Sequence, residues 1–161
     1  MVNGNEMKSR ISKDLLNPLA FSIATTDMFY RFKKHDDGKY IYTKDRGWFF
    51  EKNLIENLNC FEGKRILDYK LPEYHSDIPM IIFSPSVVND GRRLLISPQK
   101  ITFLCNTDTS LLSGKIALEN IEFSTLFNKN DPQYLKISSA MRMNATFPYI
   151  LPMVFLPSEP K

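Results

Sequence analysis

The serines of this chain could act as nucleophiles, but the spacing of its glycines excludes several common active-site motifs. A serine nucleophile on a sharp strand-to-helix turn lies in Gly-x-Ser-x-Gly, because the glycines let the backbone turn tightly. The chain has six glycines, and no two of them are four residues apart. Their spacing also rules out the phosphate-binding loops Gly-x-Gly-x-x-Gly and Gly-x-x-x-x-Gly-Lys. The sequence therefore contains no serine elbow and no phosphate loop of these kinds.

Two Asp-Gly pairs are the next candidates, because an aspartate at such a position can act as a catalytic base. Asp90-Gly91 follows Asn89 between two apolar runs, at residues 79–88 and 92–97. Asn-Asp-Gly in that setting is a strong signal for a β-hairpin. Asp37-Gly38 has the same composition, and both residue types favour turns for their backbone angles. We interpret both pairs as turns.

Histidine and cysteine are too sparse and too scattered to form a metal site. The chain has only His35 and His75, Cys60 and Cys105, with no His-x-x-x-His and no Cys-x-x-Cys. A structural zinc site needs four such ligands and a catalytic one needs three. The sequence therefore predicts no metal and no cofactor. Two cysteines do not make a disulfide framework, and we expect buried, reduced thiols in a cytoplasmic compartment.

Composition indicates an ordinary globular protein. Of 161 residues, 43% are hydrophobic and 24% charged, and the net charge of +3 is too small to favour a nucleic-acid partner. No apolar run approaches the roughly 20 residues of a membrane-spanning helix, and the first ten residues do not form a signal peptide. We expect residues 1–10 to be a disordered leader. A group of basic residues could face anionic lipid, but acidic residues lie among them and a solvated surface is the preferred interpretation. The group comprises Lys8, Arg10, Lys13, Lys33, Lys34, His35 and Lys39.

Hydrophobic periodicity and turn signals predict a mixture of helices and strands. The clearest helix covers residues 48–58, with Phe49, Phe50, Leu54, Ile55 and Leu58 facing inward. The clearest β signal is PMIIF at residues 79–83, which is continuously apolar, as in a strand buried on both faces. The remaining predictions are helices at 18–32, 64–69 and 121–127, strands at 40–43 and 101–105, and a loop at 72–77.

Residues 131–157 form the most distinctive stretch. Asp131 is a good helix N-cap and Pro132 suits the first helical position, so a helix is predicted from here to Asn144. Pro148 disfavours helical backbone at Phe147 and so turns the chain away from the helix. Residues 149–156 are apolar and predict a short buried segment.

The run SSAMRMNATFPYILPMVFLPSEP resembles a segment of patatin-like lipid acyl hydrolases, in which a helix ends in a corner of small residues and proline. IPMIIFSPSVVNDGRRLLIS is similar to a core strand and hairpin of the same family, and LLNPLAFSIATTDMFYRF and YIYTKDRGWFFE also resemble its bacterial members. The resemblance covers about residues 14–157. It rests on the order of the motifs, since no catalytic motif of the family lies within them.

The resemblance implies an α/β fold that forms part of a three-layer α/β/α sandwich with a central mixed sheet. In the family, a serine in Gly-x-Ser-x-Gly and an oxyanion loop precede the matching region, and the aspartate of a Ser–Asp dyad follows the corner. The resemblance therefore implies a single partial domain, residues 1–161, of an enzyme that hydrolyses lipid esters. The chain itself is expected to be inactive. Localisation would be cytoplasmic, or membrane-associated by peripheral contact through other parts of the parent protein.

The corner is the only place where the resemblance suggests site residues. It implies that Asn144, Ala145, Thr146, Phe147 and Pro148 form one wall of the acyl pocket, although Asn144 and Phe147 depart from the Ser/Ala-rich residues common there. Phe147 and Tyr149 are equally well explained as core aromatics. Asn144-Ala145-Thr146 also matches the N-glycosylation pattern, which we attribute to chance.

A different class of function stays open, namely a non-enzymatic scaffold or binding module that keeps the hairpin and corner for packing alone. If the strands that carry the catalytic groups are absent, the apolar residues 80–83 lose neighbours on one edge. Open apolar edges pair with other chains. We therefore expect the isolated chain to aggregate or to fold only loosely.

Overall fold

A computed structural model describes residues 4–13, 16–26, 34–36, 41–43, 45–59, 61–105, 120–127, 131–147 and 150–156. The chain divides into two compact units. The first unit comprises Met1–Gly63 and Thr146–Leu156, and the second comprises Lys64–Ala145 and Pro157–Lys161. Both units contain helices and paired strands, so the predicted mixed α/β class is confirmed at that level.

The first unit begins with two short helices, α1 (Gly4–Ile11) and α2 (Leu16–Phe21). A wider π-helical turn, Ser22–Thr26, continues α2. The leader expected to be disordered at residues 1–10 is thus helical from Gly4 onward. Within this helix, Glu6 and Arg10 lie one turn apart and form an ion pair. The predicted helix at 18–32 is helical as far as Thr26, and its last six residues lie outside the described part of the chain.

Two short strands of the first unit, β1 (Lys34–Asp36) and β2 (Ile41–Thr43), pair antiparallel with His35 opposite Tyr42. Strand β2 confirms the strand predicted at 40–43. The turn predicted at Asp37-Gly38 lies outside the described residues.

Helix α3 (Arg46–Leu58) is the longest described element of the first unit and confirms the amphipathic helix predicted there. Asp45 caps its start, because the carboxylate accepts a hydrogen bond from the backbone N–H of Trp48 at 2.9 Å. Asn59 ends it with a positive φ of 41°, and its backbone N–H donates to Ile55 O at 2.8 Å. Leu54 and Leu58 are buried, while Phe49, Phe50 and Ile55 are half-buried.

The N-cap of α3 gives a first testable prediction. Asp45→Ala should lower the free energy of unfolding by about 1 kcal/mol, because the Trp48 N–H loses its acceptor at the positive end of the helix dipole. Asp45→Asn is the matched control: it keeps a capping oxygen and should change stability by less than half as much. Urea denaturation followed by Trp48 fluorescence measures both. Equal losses in the two variants would show that the cap does not stabilise the helix.

The second unit begins with a 3₁₀ turn, Ile66–Tyr69, that leads into the short helix α4 (Lys70–Tyr74). The turn confirms a helical segment at 64–69. The loop predicted at 72–77 is wrong at residues 72–74, where α4 continues to Tyr74, and is confirmed at residues 75–77. A sheet-like core follows, in which β3 (Arg93–Leu95) pairs in parallel with β4 (Asn120–Glu122). The register places Leu94 beside Ile121.

The hairpin predicted around Asn89-Asp90-Gly91 is present over its inner part. Phe83 and Ile96 exchange two backbone hydrogen bonds of 2.9 Å, and Val87 N–H donates to Arg92 O at 2.8 Å. Gly91 has a φ of 75°, which a residue with a Cβ rarely adopts, so glycine is required at this turn. Residues 83–87, the hairpin arm, therefore lie antiparallel beside β3. Asp90-Gly91 belongs to the turn, as predicted.

The strand predicted at residues 79–83 is wrong for most of its length. Backbone pairing begins only at Phe83, and Met80 and Ile82 are 54% and 40% exposed. An apolar run does not by itself form a strand, because strand formation also depends on whether another segment lies beside it to accept and donate backbone hydrogen bonds. The strand predicted at 101–105 is also wrong, because Thr102–Leu104 forms a 3₁₀ turn. The helix predicted at 121–127 starts as β4 and becomes the 3₁₀ turn Phe123–Leu126.

The single helix predicted from Asp131 to Asn144 is divided in two. A 3₁₀ turn, Asp131–Tyr134, is followed after two residues by the helix α5 (Ile137–Asn144). The break has a tertiary cause: Ile66 N–H donates to Leu135 O at 2.9 Å, and Ile137 N–H donates to Lys64 O at 3.1 Å. These long-range bonds hold Leu135 and Lys136 in a non-helical conformation before α5, where a continuous helix would have used the same backbone groups internally.

Each unit has its own buried apolar residues. The first unit buries Leu54, Leu58 and Leu151, and the second buries Ile66, Leu94, Leu95, Ile96, Ile101, Cys105, Phe123, Ile137 and Ala140. In the buried segment predicted at 149–156, Leu151 is buried, but Ile150, Met153 and Phe155 are 41%, 47% and 83% exposed, so the prediction is wrong for most of its described length. Across the described ranges, no helix combines the length and the apolar character needed to cross a membrane.

Candidate functional site

The five residues of the expected pocket wall are divided between the two units and the part of the chain outside the described residues. Asn144 ends α5 and, with Ala145, belongs to the second unit, whereas Thr146 and Phe147 belong to the first. Pro148 lies outside the described residues. Phe147 is 67% exposed, and its carbonyl accepts hydrogen bonds from the backbone N–H groups of Ile150 and Leu151. Phe147 is therefore not a core aromatic, which was the competing interpretation.

Asn144 makes a specific contact within the second unit. Its Oδ1 accepts a hydrogen bond of 3.1 Å from the backbone N–H of Ser84, sixty residues earlier in the chain. The end of α5 is thereby attached to the hairpin arm. The two sequence segments that carry the resemblance, the hairpin and the corner, are thus directly joined.

A small cavity of about 50 Å³ lies elsewhere in the second unit, at the carboxyl ends of β3 and β4. Its walls combine apolar groups such as Ile66, Leu95 and Phe123 with a set of polar ones. The polar lining consists of Lys70, Ser97, Gln99, Lys100, Glu122, Ser124 and Gln133. A cavity of this size has room for a few water molecules, but not for a fatty acyl chain. None of the residues expected to form the acyl-pocket wall lines it.

Glu122 is the central polar group of this cavity. It is the last residue of β4 and only 5% exposed, and its carboxylate accepts three hydrogen bonds. Oε2 accepts from Thr102 Oγ1 at 2.6 Å, while Oε1 accepts from Ser124 Oγ at 2.8 Å and more distantly from Ile101 N–H at 3.4 Å. The carboxylate thus links the Ile101 backbone and the Thr102 side chain to the turn that follows β4.

The surroundings of Glu122 keep it ionised. Burial alone would raise its pKa, but the hydrogen bonds from Thr102, Ser124 and Ile101, with the positive charge of Lys100, lower the pKa below the ordinary value. A carboxylate stabilised in this way is a weak base. The contact between Ser124 Oγ and Glu122 Oε1 has the distance of a nucleophile–base pair, but the same carboxylate is also held by Thr102 and Ile101. We assign this cluster a structural role.

The histidine, cysteine and acidic side chains that the structure describes do not gather into a metal-binding centre. In the part of the chain that the structure describes, no three His, Cys, Asp or Glu side chains stand close enough to hold a metal ion. Cys105 is buried and free, as predicted, and burial together with the nearby Glu122 charge raises the pKa of its thiol. His75 is exposed beside Tyr74, and Cys60 lies outside the described ranges.

Sequence reasoning did not find Glu122 or Glu73, the two carboxylates that depart most from a solvated environment. The pKa of Glu73 is raised, because the effect of burial is larger than the opposing effect of the hydrogen bond that the carboxylate accepts from Ile81 N–H. A signal for Glu122 was present, since it is a lone charge between Ile121 and Phe123 and two hydroxyl residues follow Phe123. An acidic residue in such an apolar run has to find donors when it is buried.

Comparison with known proteins adds no assignment: no family model, no curated protein and no solved structure matches this chain.

Proposed function

We propose that this chain contributes the acyl-pocket wall of a patatin-like lipid acyl hydrolase, as part of a three-layer α/β/α sandwich. The observation that carries the proposal is the attachment of the helix-and-corner segment to the hairpin through Asn144 and Ser84. These are the two segments with the strongest resemblance to the family. This contact brings together two segments that resemble the same family, although the Asn144 side chain that makes it is itself a departure from that family's residues.

The proposed reaction uses groups encoded outside residues 1–161. A serine hydroxyl attacks the carbonyl carbon of a lipid ester while an aspartate takes its proton, and backbone N–H groups stabilise the tetrahedral oxyanion. Collapse of this intermediate expels the alcohol, and water then releases the fatty acid. The contribution of this chain is to shape the space for the acyl group, with Phe147 as its largest apolar contact. Peripheral contact with a membrane belongs to the same proposal.

A non-enzymatic binding module is the second candidate. The hydrogen bonds that Glu122 accepts from Thr102, Ser124 and Ile101 stabilise the second unit, as expected of a module as well as of part of an enzyme. In this reading the hairpin and corner are retained for packing alone.

Coding sequence and ester hydrolysis separate the two candidates. For the hydrolase, the reading frame extended on both sides should encode Gly-x-Ser-x-Gly upstream and an Asp-Gly or related motif just after residue 161. The protein from that extended frame should hydrolyse a p-nitrophenyl ester, and replacing its elbow serine should abolish the activity.

The 161-residue chain provides the matched control and a prediction of its own. It should hydrolyse the same ester no faster than a heat-denatured sample, because it has neither serine elbow nor oxyanion loop. Hydrolysis by this chain that disappears on replacing one of its serines would contradict the proposal that the catalytic groups are encoded outside residues 1–161. Absence of both motifs from the flanking frame would favour the binding module.

A further inference from the structure

The cavity of the second unit lies beyond the carboxyl ends of the parallel strands β3 and β4, the side on which open α/β sheets bind their ligands. Lys70, the first residue of α4, and Lys100, which follows the hairpin, both line it. Glu122 contributes the one carboxylate among the lining residues, so two lysines and one glutamate give the lining a net charge of +1.

Glu122 does not neutralise both lysines. Its carboxylate already accepts three hydrogen bonds, and a carboxylate has only about four acceptor positions. Neither Lys70 nor Lys100 forms an ion pair with any residue that the structure describes. The lining therefore retains positive charge, which a bound anion would neutralise.

The uncharged polar groups of the cavity also leave hydrogen-bond donors unused. Ser97 Oγ accepts from the backbone N–H of Gln99 at 3.3 Å, which leaves the hydroxyl proton for another acceptor. The side-chain amide of Gln133 lines the cavity and donates to none of the described residues. Together with the two ammonium groups, these donors outnumber the acceptors that remain. A ligand that satisfies them has to be rich in acceptors.

Hydrogen bonds fix the backbone on which the two lysines stand. Gln99 Nε2 donates to Lys70 O at 2.6 Å and so holds the loop before Lys100 against the start of α4. Two residues after Lys100, Thr102 Oγ1 donates to Glu122 at 2.6 Å. The two cationic side chains thus extend from segments that are attached to each other and to β4, so little backbone ordering is needed for both to meet one ligand.

We propose that this cavity binds a small, oxygen-rich anion between Lys70 and Lys100, with Ser97 and Gln133 as further donors. The chemical class is inorganic phosphate or the carboxylate of a small acid. The volume of about 50 Å³ suits such an ion, because one water molecule needs about 10–15 Å³ of such space and the ion brings a similar number of oxygens. The inference is independent of the proposed hydrolase function, since it uses only groups of the second unit.

Titration of the ¹⁵N-labelled 161-residue chain with inorganic phosphate tests the site by nuclear magnetic resonance. The backbone amides of Gln99, Lys100 and Ser124 should shift together and saturate. Lys70→Met with Lys100→Met should weaken phosphate binding by at least about tenfold, because two charge-assisted hydrogen bonds are lost. A parallel titration with acetate identifies the preferred ion, and binding of either one supports the proposal. Absence of saturable shifts with both ions would mean that the cavity holds only water and would overturn it.

Two controls separate a built site from general attraction between charges. Lys64→Met with Lys136→Met makes the same change of charge in the same unit, at exposed residues that do not line the cavity. This variant should bind phosphate as wild type does, and an equal loss in both double variants contradicts the proposal. Sodium chloride at matched ionic strength should not shift the same amides to saturation. If it does so as effectively as phosphate, the cavity does not recognise oxygen-rich anions and the proposal is wrong.

Discussion

Replacing Ile96 by alanine should lower the free energy of unfolding by about 2–5 kcal/mol, one of the two largest effects expected of a single substitution here. Ile96 is fully buried, and its backbone exchanges two hydrogen bonds with Phe83. Truncation leaves those bonds in place and removes only the side chain, so the loss combines transfer of buried methyl groups to water with the cavity left behind. Urea denaturation followed by far-ultraviolet circular dichroism measures the loss.

Val88→Ala is the matched control for Ile96. Val88 lies in the same hairpin but is 69% exposed, so its truncation should change stability by about 0.5 kcal/mol or less. Similar losses for the two variants would contradict the placement of Ile96 in the core and of Val88 at the surface.

Glu122→Ala should destabilise the protein by about 2–4 kcal/mol, since Thr102, Ser124 and Ile101 lose their common acceptor. Glu122→Gln should cost less, because the amide keeps an acceptor oxygen, but it loses the charge that Lys100 and the hydroxyl groups stabilise. Comparison of the two variants separates hydrogen bonding from charge. Equal stability of wild type and the alanine variant would show that the carboxylate does not hold residues 101–102 to the turn that follows β4.

The same carboxylate predicts a pH dependence. Because the folded state lowers the pKa of Glu122 below its ordinary value of 4.5, its contribution is present above that pH and is lost as the pH falls through the lowered pKa. The stability difference between wild type and Glu122→Gln should therefore shrink on acidification. Glu73 has a raised pKa and the opposite dependence, but it is present in both proteins and cancels in the difference. A difference that stays constant from neutral to strongly acidic pH would contradict this account.

Local signals predicted the parts of the fold that local chemistry determines. Helix α3 follows from the helical spacing of its apolar residues, and the hairpin follows from Asn89-Asp90-Gly91. The predictions were wrong where a distant segment competes for the backbone. Residues 135–137 pair with residues 64–66 and divide a helix that the sequence indicates as continuous.

The segment at residues 79–83 is a second case in which a distant part of the chain determines a structure that the local sequence did not predict. Its apolar composition indicates a central strand, but its pairing depends on what the rest of the chain places beside it. The structure supplies Glu73 at the Ile81 amide and Asn144 at the Ser84 amide, and neither contact has a signature in the sequence around them. Glu122 was missed for a related reason, because its three donors come from residues 101, 102 and 124.

Photo-crosslinking of an acyl chain tests the central claim most directly, namely that the corner forms an acyl-pocket wall. The protein encoded by the extended reading frame would be incubated with a fatty acyl ester that bears a diazirine on its chain, irradiated and digested with trypsin. Cleavage after Arg142 releases a peptide that begins at Met143 and contains Asn144, Ala145, Thr146 and Phe147. The account predicts label on this peptide, reduced by an excess of unlabelled lipid ester. Competable label confined to other peptides would contradict it.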